Sequence, residues 1–279
     1  MLVIESAADK VRAPASTGIL LLHGLTGTPS EMRPLRRPLE RLGCTVDAPL
    51  LPGHGATHRE LLSTGWSDWL AGARRAALDL ASRCDTVVVA GLSMGALLAT
   101  LLAADDPRID GIALLSPTLR FDGTSIPWTR WLLPLAYGLP FARGRLYWSE
   151  RPPYGLKDER LQSLIARAIA AAKRGESTRY GLFRTYVGSI LELDRLVRQV
   201  LCRASAVRCP LLVVQSVDDT ITSDRSAREI FDRIGSAEKS IHWLTGCDHV
   251  ITLDLKKHEV ARAVSEFAVR AARRKARGW

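Results

Sequence analysis

The sequence predicts an α/β domain: a mostly parallel central sheet flanked by helices, with a helical cap insertion late in the chain. Three observations carry this. Six short apolar runs, at 18–22, 44–48, 86–90, 111–115, 211–216 and 240–244, have the length and composition of strands buried on both faces. Helical periodicity lies between most of them, and strands alternating with helices build parallel sheets. The alternation stops between about 117 and 208, where helical faces occur without a convincing strand, and a structureless loop of that length does not fit a compact domain. The expected division is core over 1–116, helical cap over 117–208 and core again over 209–279.

Each element has its own local signal. A helix over 30–42 is opened by Pro29, which suits a first turn, and stopped by Gly43. A helix over 66–83 puts Trp66, Trp69, Leu70, Ala73, Ala77 and Leu80 on one face. The strand 86–90 runs into Gly91-Leu92-Ser93-Met94-Gly95 and then into an apolar helix over 96–103. Within the insertion, Leu161, Leu164, Ile165 and Ala168 mark one helical face, and Leu193, Leu196, Val197 and Val200 mark another. Helices over 222–234 and 253–273 follow the last two strands. An insertion between strands 111–115 and 211–216 sits over the C-terminal ends of the sheet, where ligands bind in open parallel sheets.

Composition narrows the class. A chain of 279 residues with 47% hydrophobic and 24% charged residues is an ordinary globular protein, long enough for one large domain with an insertion. No stretch reaches the roughly 20 apolar residues of a membrane-spanning helix. Residues 1–12 carry Glu5, Asp9, Lys10 and Arg12 and are not expected to act as a signal peptide. Five cysteines in no CxxC pair read as free thiols in a reducing compartment, so the cytoplasm is the expected location. They form no metal motif, and no metal site is expected. The net charge is +10, part of it in Arg270, Arg273, Arg274, Lys275 and Arg277. That tail reads first as the solvated end of the last helix, and second as a peripheral contact with anionic lipid. Without zinc-finger spacing or an RNA-binding motif, no nucleic-acid partner is expected.

The chemistry centres on Ser93. A strand, a sharp turn with flanking glycines and a helix lift a serine hydroxyl above the sheet edge, with a helix N-terminus beneath it. Serine is a poor nucleophile at neutral pH and needs a base and an orienting carboxylate. Of six histidines, His249 follows the strand 240–244 and so reaches the same rim of the sheet as Ser93. Asp218 and Asp219 close the strand 211–216, again on that rim. A tetrahedral oxyanion needs waiting N–H donors. Met94 supplies one, and the loop His23-Gly24-Leu25-Thr26-Gly27-Thr28-Pro29 supplies the other, expected at Leu25. His23 is expected to brace that loop.

These residues give the chain a family resemblance. It resembles the bacterial carboxylesterase and monoacylglycerol lipase branch of the α/β hydrolases. The matching pieces are His23-Gly24-Leu25-Thr26-Gly27-Thr28-Pro29, Leu51-Pro52-Gly53-His54-Gly55, Trp66-Ser67-Asp68-Trp69 and the turn around Ser93. Further on come Val217-Asp218-Asp219-Thr220-Ile221 and His249-Val250-Ile251-Thr252-Leu253-Asp254. The resemblance implies the α/β-hydrolase fold and selects Asp219 over Asp218 as the acid. It makes His54 part of a structural turn. The 117–208 segment is longer than the family's usual cap.

The implied activity is hydrolysis of a small-molecule carboxylic ester with an apolar acyl chain, without a cofactor. Acyl-thioester hydrolysis by the same residues is the alternative, and a non-catalytic receptor or scaffold on the same fold is a distant one. Within Pro127-Trp128-Thr129-Arg130-Trp131-Leu132-Leu133-Pro134-Leu135, Trp128 and Trp131 are the candidate walls of an acyl pocket, with packing between cap and core as the other reading.

Overall fold

A computed structural model describes residues 16–174 and 181–277. The N-terminal segment read above for a signal peptide lies outside the described residues. In chain order the first half contains β1 (Thr17–Leu22), α1 (Arg33–Arg41), β2 (Thr45–Asp47), α2 (His58–Leu62), α3 (Trp66–Ala81), β3 (Thr86–Leu92), α4 (Met94–Asp105) and β4 (Ile109–Leu115). The insertion region follows with α5 (Leu133–Tyr137), α6 (Pro140–Arg145), β5 (Tyr147–Ser149), α7 (Glu159–Lys173), β6 (Arg184–Tyr186) and α8 (Val187–Arg203). The chain closes with β7 (Leu211–Ser216), α9 (Asp224–Arg233), β8 (Lys239–Leu244) and α10 (Lys257–Ala276).

The main sheet has strand order β2-β1-β3-β4-β7-β8, and every pair in it is parallel. Successive side chains alternate between its faces, so the apolar runs divide into two cores. Leu20, Leu22, Val87, Val89, Ile112 and Leu114 join one cluster with side chains of α3, α4 and α8. Ile19, Leu21, Val88, Ala90, Ala113 and Leu115 join another with side chains of α1 and α10. Both faces are covered, which is why β1, β3 and β7 lack a polar alternation.

Two features of the insertion differ from the sequence expectation. β5 and β6 form a two-stranded antiparallel sheet. Three-residue strands leave too short a pattern to read as period two. The second difference is α8. Residues Met94–Leu102 of α4 are buried on every side. A helix apolar all round needs a cover on the side away from the sheet. α8 supplies it by burying Leu193, Leu196, Val197 and Val200 in the same cluster as Leu97 and Leu101. So α8 is packed as a core helix although its sequence position falls within the insertion.

Among the described residues no helix is long and apolar enough to cross a membrane. The five cysteines are all free.

Candidate active site

β3 ends at Leu92 and α4 begins at Met94, so the whole turn between them is one residue. Ser93 takes up the reversal with φ 55° and ψ −111°, backbone strain that a β-carbon-bearing residue tolerates only where the surroundings hold it. The glycines are steric requirements. A Cβ on Gly91 would land on the Gly95 carbonyl, and a Cβ on Gly95 would land on the Leu22 carbonyl. The Ser93 N–H still donates to Leu115 O at 2.8 Å, continuing the β3–β4 ladder and fixing the turn to the sheet. Met94 opens α4, so its N–H is among the first-turn amides with no preceding helix carbonyl to bond.

The loop after β1 lies beside this turn. It is closed by Gly27 N–H donating to Gly24 O at 3.2 Å, which leaves Leu25 and Thr26 at its tip. His23 braces it from beneath. Its Nε2 accepts the Leu51 N–H at 3.1 Å, so Nδ1 carries the proton and donates to Gly24 O at 2.9 Å. Burial and the neighbouring His54 push the His23 pKa down to about 3, so it stays neutral. His54 is also buried, bonded through Nδ1 to Pro52 O and held down to about 4 by burial.

His249 follows β8 and points its Nδ1 at Asp219 Oδ2, 2.8 Å away. The Asp219 side chain is 1% exposed. It accepts three further bonds, from Gln215 Nε2 at 3.0 Å and from the Ile221 and Thr222 N–H groups at 2.9 Å. Burial works against a charge there, yet His249 and the Thr222 and Ile221 N–H groups hold the carboxyl below its ordinary range. Burial likewise opposes a charged His249, but the Asp219 carboxylate outweighs it and the imidazole pKa is raised. Asp218 faces the other way, in an ion pair with Lys157 at 2.8 Å and accepting the Gly246 N–H at 2.7 Å.

Leu25, Ser93 and His249 line one cavity of about 320 Å³, at the small end of ligand-binding cavities. The Ser93 hydroxyl lies 3.0 Å from Thr118 Oγ1. Apolar walls come from the core through Ile221 and Val250, and from the insertion through Phe121, Trp148, Ile165 and Leu182. The structure does not bring Trp128 and Trp131 into this cavity: they are 75% and 74% exposed. The short 3-10 turn Trp128–Leu132 buries none of its residues, and the indole that faces the cavity is Trp148.

Sequence reasoning missed several polar groups here. Glu31 sits in the first turn after the loop and turns back to accept the Gly24 N–H at 3.0 Å. An acidic residue at that point in a helix start was the available signal. Glu150 lines the same cavity from the insertion. Burial pushes both carboxyls up to about 7. Asp254 is fully buried and accepts the N–H groups of Lys157, Asp158 and Asp248, tying the start of α7 to the loop that carries His249. Among the described residues no cluster of His, Cys, Asp and Glu has the geometry to hold a metal ion.

A protein-family model described as serine aminopeptidase, S33, matches residues 13–256. The chain is 32% identical to a thermostable monoacylglycerol lipase of Bacillus sp. (strain H-257), over 95% of each chain. It is 26% identical to a carboxylesterase of Bacillus subtilis (strain 168), over 89% of this chain and 91% of the relative. A solved structure from work on LipS and LipT, two metagenome-derived lipolytic enzymes, superposes with TM-score 0.74 and 29% identity, covering 93% of this chain and 96% of the other.

Proposed function

The chain belongs to the serine aminopeptidase S33 family of α/β hydrolases, and from that premise we propose that it cleaves carboxylic esters bearing an apolar acyl chain, through an acyl-enzyme on Ser93. The observation that carries this is the buried His249–Asp219 pair, 2.8 Å apart, opening on the same cavity as the strained serine turn. In this reading the Ser93 hydroxyl turns from Thr118 toward His249 Nε2, which takes its proton as Oγ attacks the ester carbonyl. Asp219 holds the imidazole in the tautomer with Nε2 free and stabilises the imidazolium that forms. The N–H groups of Leu25 and Met94 receive the oxyanion. His249 returns the proton to the leaving alcohol, and water then attacks the acyl-enzyme by the same route. The residues over 117–208 act as the cap, with α8 as its anchor in the core.

The acyl chain is placed against Trp148, Ile165 and Leu182. Each methylene buried there adds up to about 0.8 kcal/mol, or about fourfold in kcat/KM, until the cavity is full. A panel of p-nitrophenyl esters and acyl thioesters of rising length is expected to show that climb, followed by a plateau. Trp148→Ala should flatten it while acetyl-ester turnover stays nearly intact. A preference for acetyl over every longer chain would remove the acyl site, and faster thioester than ester turnover would favour the thioesterase alternative.

The pH profile offers a separate check. His249 must be neutral to accept the serine proton, and its pKa is raised above the ordinary 6.5. Activity should therefore be lost on the acid side with a kcat/KM midpoint above 6.5. The Glu31 charge is one of the contributions that raise the imidazole pKa. Glu31→Gln keeps an acceptor for the Gly24 N–H and removes the charge, so the midpoint should move down. A midpoint at or below that of free imidazole, unmoved by Glu31→Gln, would contradict the assignment.

A further inference from the structure

The loop that carries His249 is tied down peptide by peptide. Ser216, the last residue of β7, donates its hydroxyl to Cys247 O at 2.6 Å, and Ser116, just after β4, donates to His249 O at 2.8 Å. The Asp248 N–H donates to Asp254 Oδ2 at 2.6 Å, and the Val250 N–H donates to Gly155 O at 2.9 Å. A base that must stay within reach of its orienting carboxylate needs a loop held this firmly. Yet none of these four ties touches Asp219 or the residue after it.

The Asp248 side chain makes that connection. It is 1% exposed. Its Oδ1 accepts the Thr220 N–H at 2.7 Å and the His249 N–H at 2.8 Å, and its Oδ2 accepts the Thr220 hydroxyl at 2.9 Å. Thr220 directly follows Asp219, and His249 directly follows Asp248. One carboxylate therefore grips both the neighbour of the acid and the backbone of the base. The 2.8 Å bond between Asp219 and His249 joins only their side chains, so the spacing of their backbones must be set elsewhere.

All three donors to Asp248 are neutral. Burying a carboxylate among neutral donors is costly, and its charge acts on the titratable group beside it. That group is His249, whose imidazole pKa is raised by Asp248 together with Asp219 and Glu31. Glu150 and Arg151 line the same cavity from the insertion, and Asp218 is turned away to Lys157.

We propose that Asp248 is a positioning residue of the hydrolytic site: its buried carboxylate clamps the turn after Asp219 to the His249 peptide and so keeps acid and base at hydrogen-bonding distance. Its charge also favours the imidazolium that forms when Ser93 gives up its proton. The inference rests on the hydrolase reading of Ser93, Asp219 and His249.

The test compares Asp248→Ala, Asp248→Asn and Ser216→Ala with the parent, by hydrolysis of a soluble p-nitrophenyl ester and by the rate of fluorophosphonate labelling at Ser93 across pH. Asp248→Ala removes the clamp and should lower kcat about a hundredfold while KM stays within about twofold. Asp248→Asn keeps the clamp, because its oxygen can hold both N–H groups and its amide can donate to the Thr220 hydroxyl. It should recover most of the kcat lost in Asp248→Ala. Without the charge the imidazole loses its proton more readily, so the acid-side midpoint of kcat/KM and of labelling should move to lower pH. Ser216→Ala removes another buried tie of the same loop and no charge, so it should lower Tm and leave the midpoint in place. A folded Asp248→Ala with the parent's kcat would overturn the proposal. So would an Asp248→Asn midpoint equal to the parent's, or an equal shift in Ser216→Ala. If Asp248→Ala does not fold, the Asp248→Asn midpoints decide. A parent that hydrolyses no ester and takes no label at Ser93 would remove the hydrolase reading itself, an outcome distinct from these.

Discussion

Ser93→Ala is expected to lower kcat by about six orders of magnitude, because the remaining groups have no nucleophile to serve and only binding and oxyanion stabilisation persist. The fold should survive the change. The turn is held by the Ser93 N–H bond to Leu115 O and by the packing of Gly91 and Gly95, none of which uses the hydroxyl. A fluorophosphonate should label the parent protein once, at Ser93, by intact mass and peptide mapping. Label at another serine, together with an active Ser93→Ala, would remove Ser93 from the mechanism.

Asp219→Asn carries the second largest effect, about four orders of magnitude in kcat. Asp219 accepts four hydrogen bonds, from His249, Gln215, Ile221 and Thr222. An asparagine has one acceptor oxygen, so it must turn a donor toward some of those groups. The imidazole then adopts the wrong tautomer and loses its charge partner. Asp218→Asn removes only a surface pair with Lys157, an interaction worth about 1 kcal/mol or less, and should change kcat little. Comparing the two variants in kcat and in Tm separates chemistry from folding. If Asp218→Asn were the crippling change, the motif would be read one residue out of place.

Ser93 was legible because its signal is local. A one-residue reversal between a buried strand and a buried helix needs glycine on both sides, and the sequence states all of these within a few residues. The six strands were legible because burial on both faces writes a short apolar run whatever surrounds it. His249 and the pair Asp218 and Asp219 were candidates because each follows an apolar run on the same side of the sheet, and the family resemblance selected Asp219. Their 2.8 Å contact is a fact of tertiary structure.

What the sequence by itself determined, then, is the parallel α/β core and the identity of the residues at its C-terminal rim, since turn sterics and strand burial act over a few residues. Only the tertiary structure decided which apolar groups of the insertion face where. Trp128 and Trp131 share the composition of a pocket wall, but the short helices around them have no long face to bury, and Trp148 takes the cavity instead. The stripe on α8 reads the same whether it covers a ligand or a helix; Leu196, Val197 and Val200 join the core cluster with α4, while Leu193 both joins that cluster and lines the cavity. Glu31 and Glu150 look like ordinary solvated acids in the sequence. Their pKa values are raised by burial among segments far apart in the chain, against the lowering effect of the His249 charge.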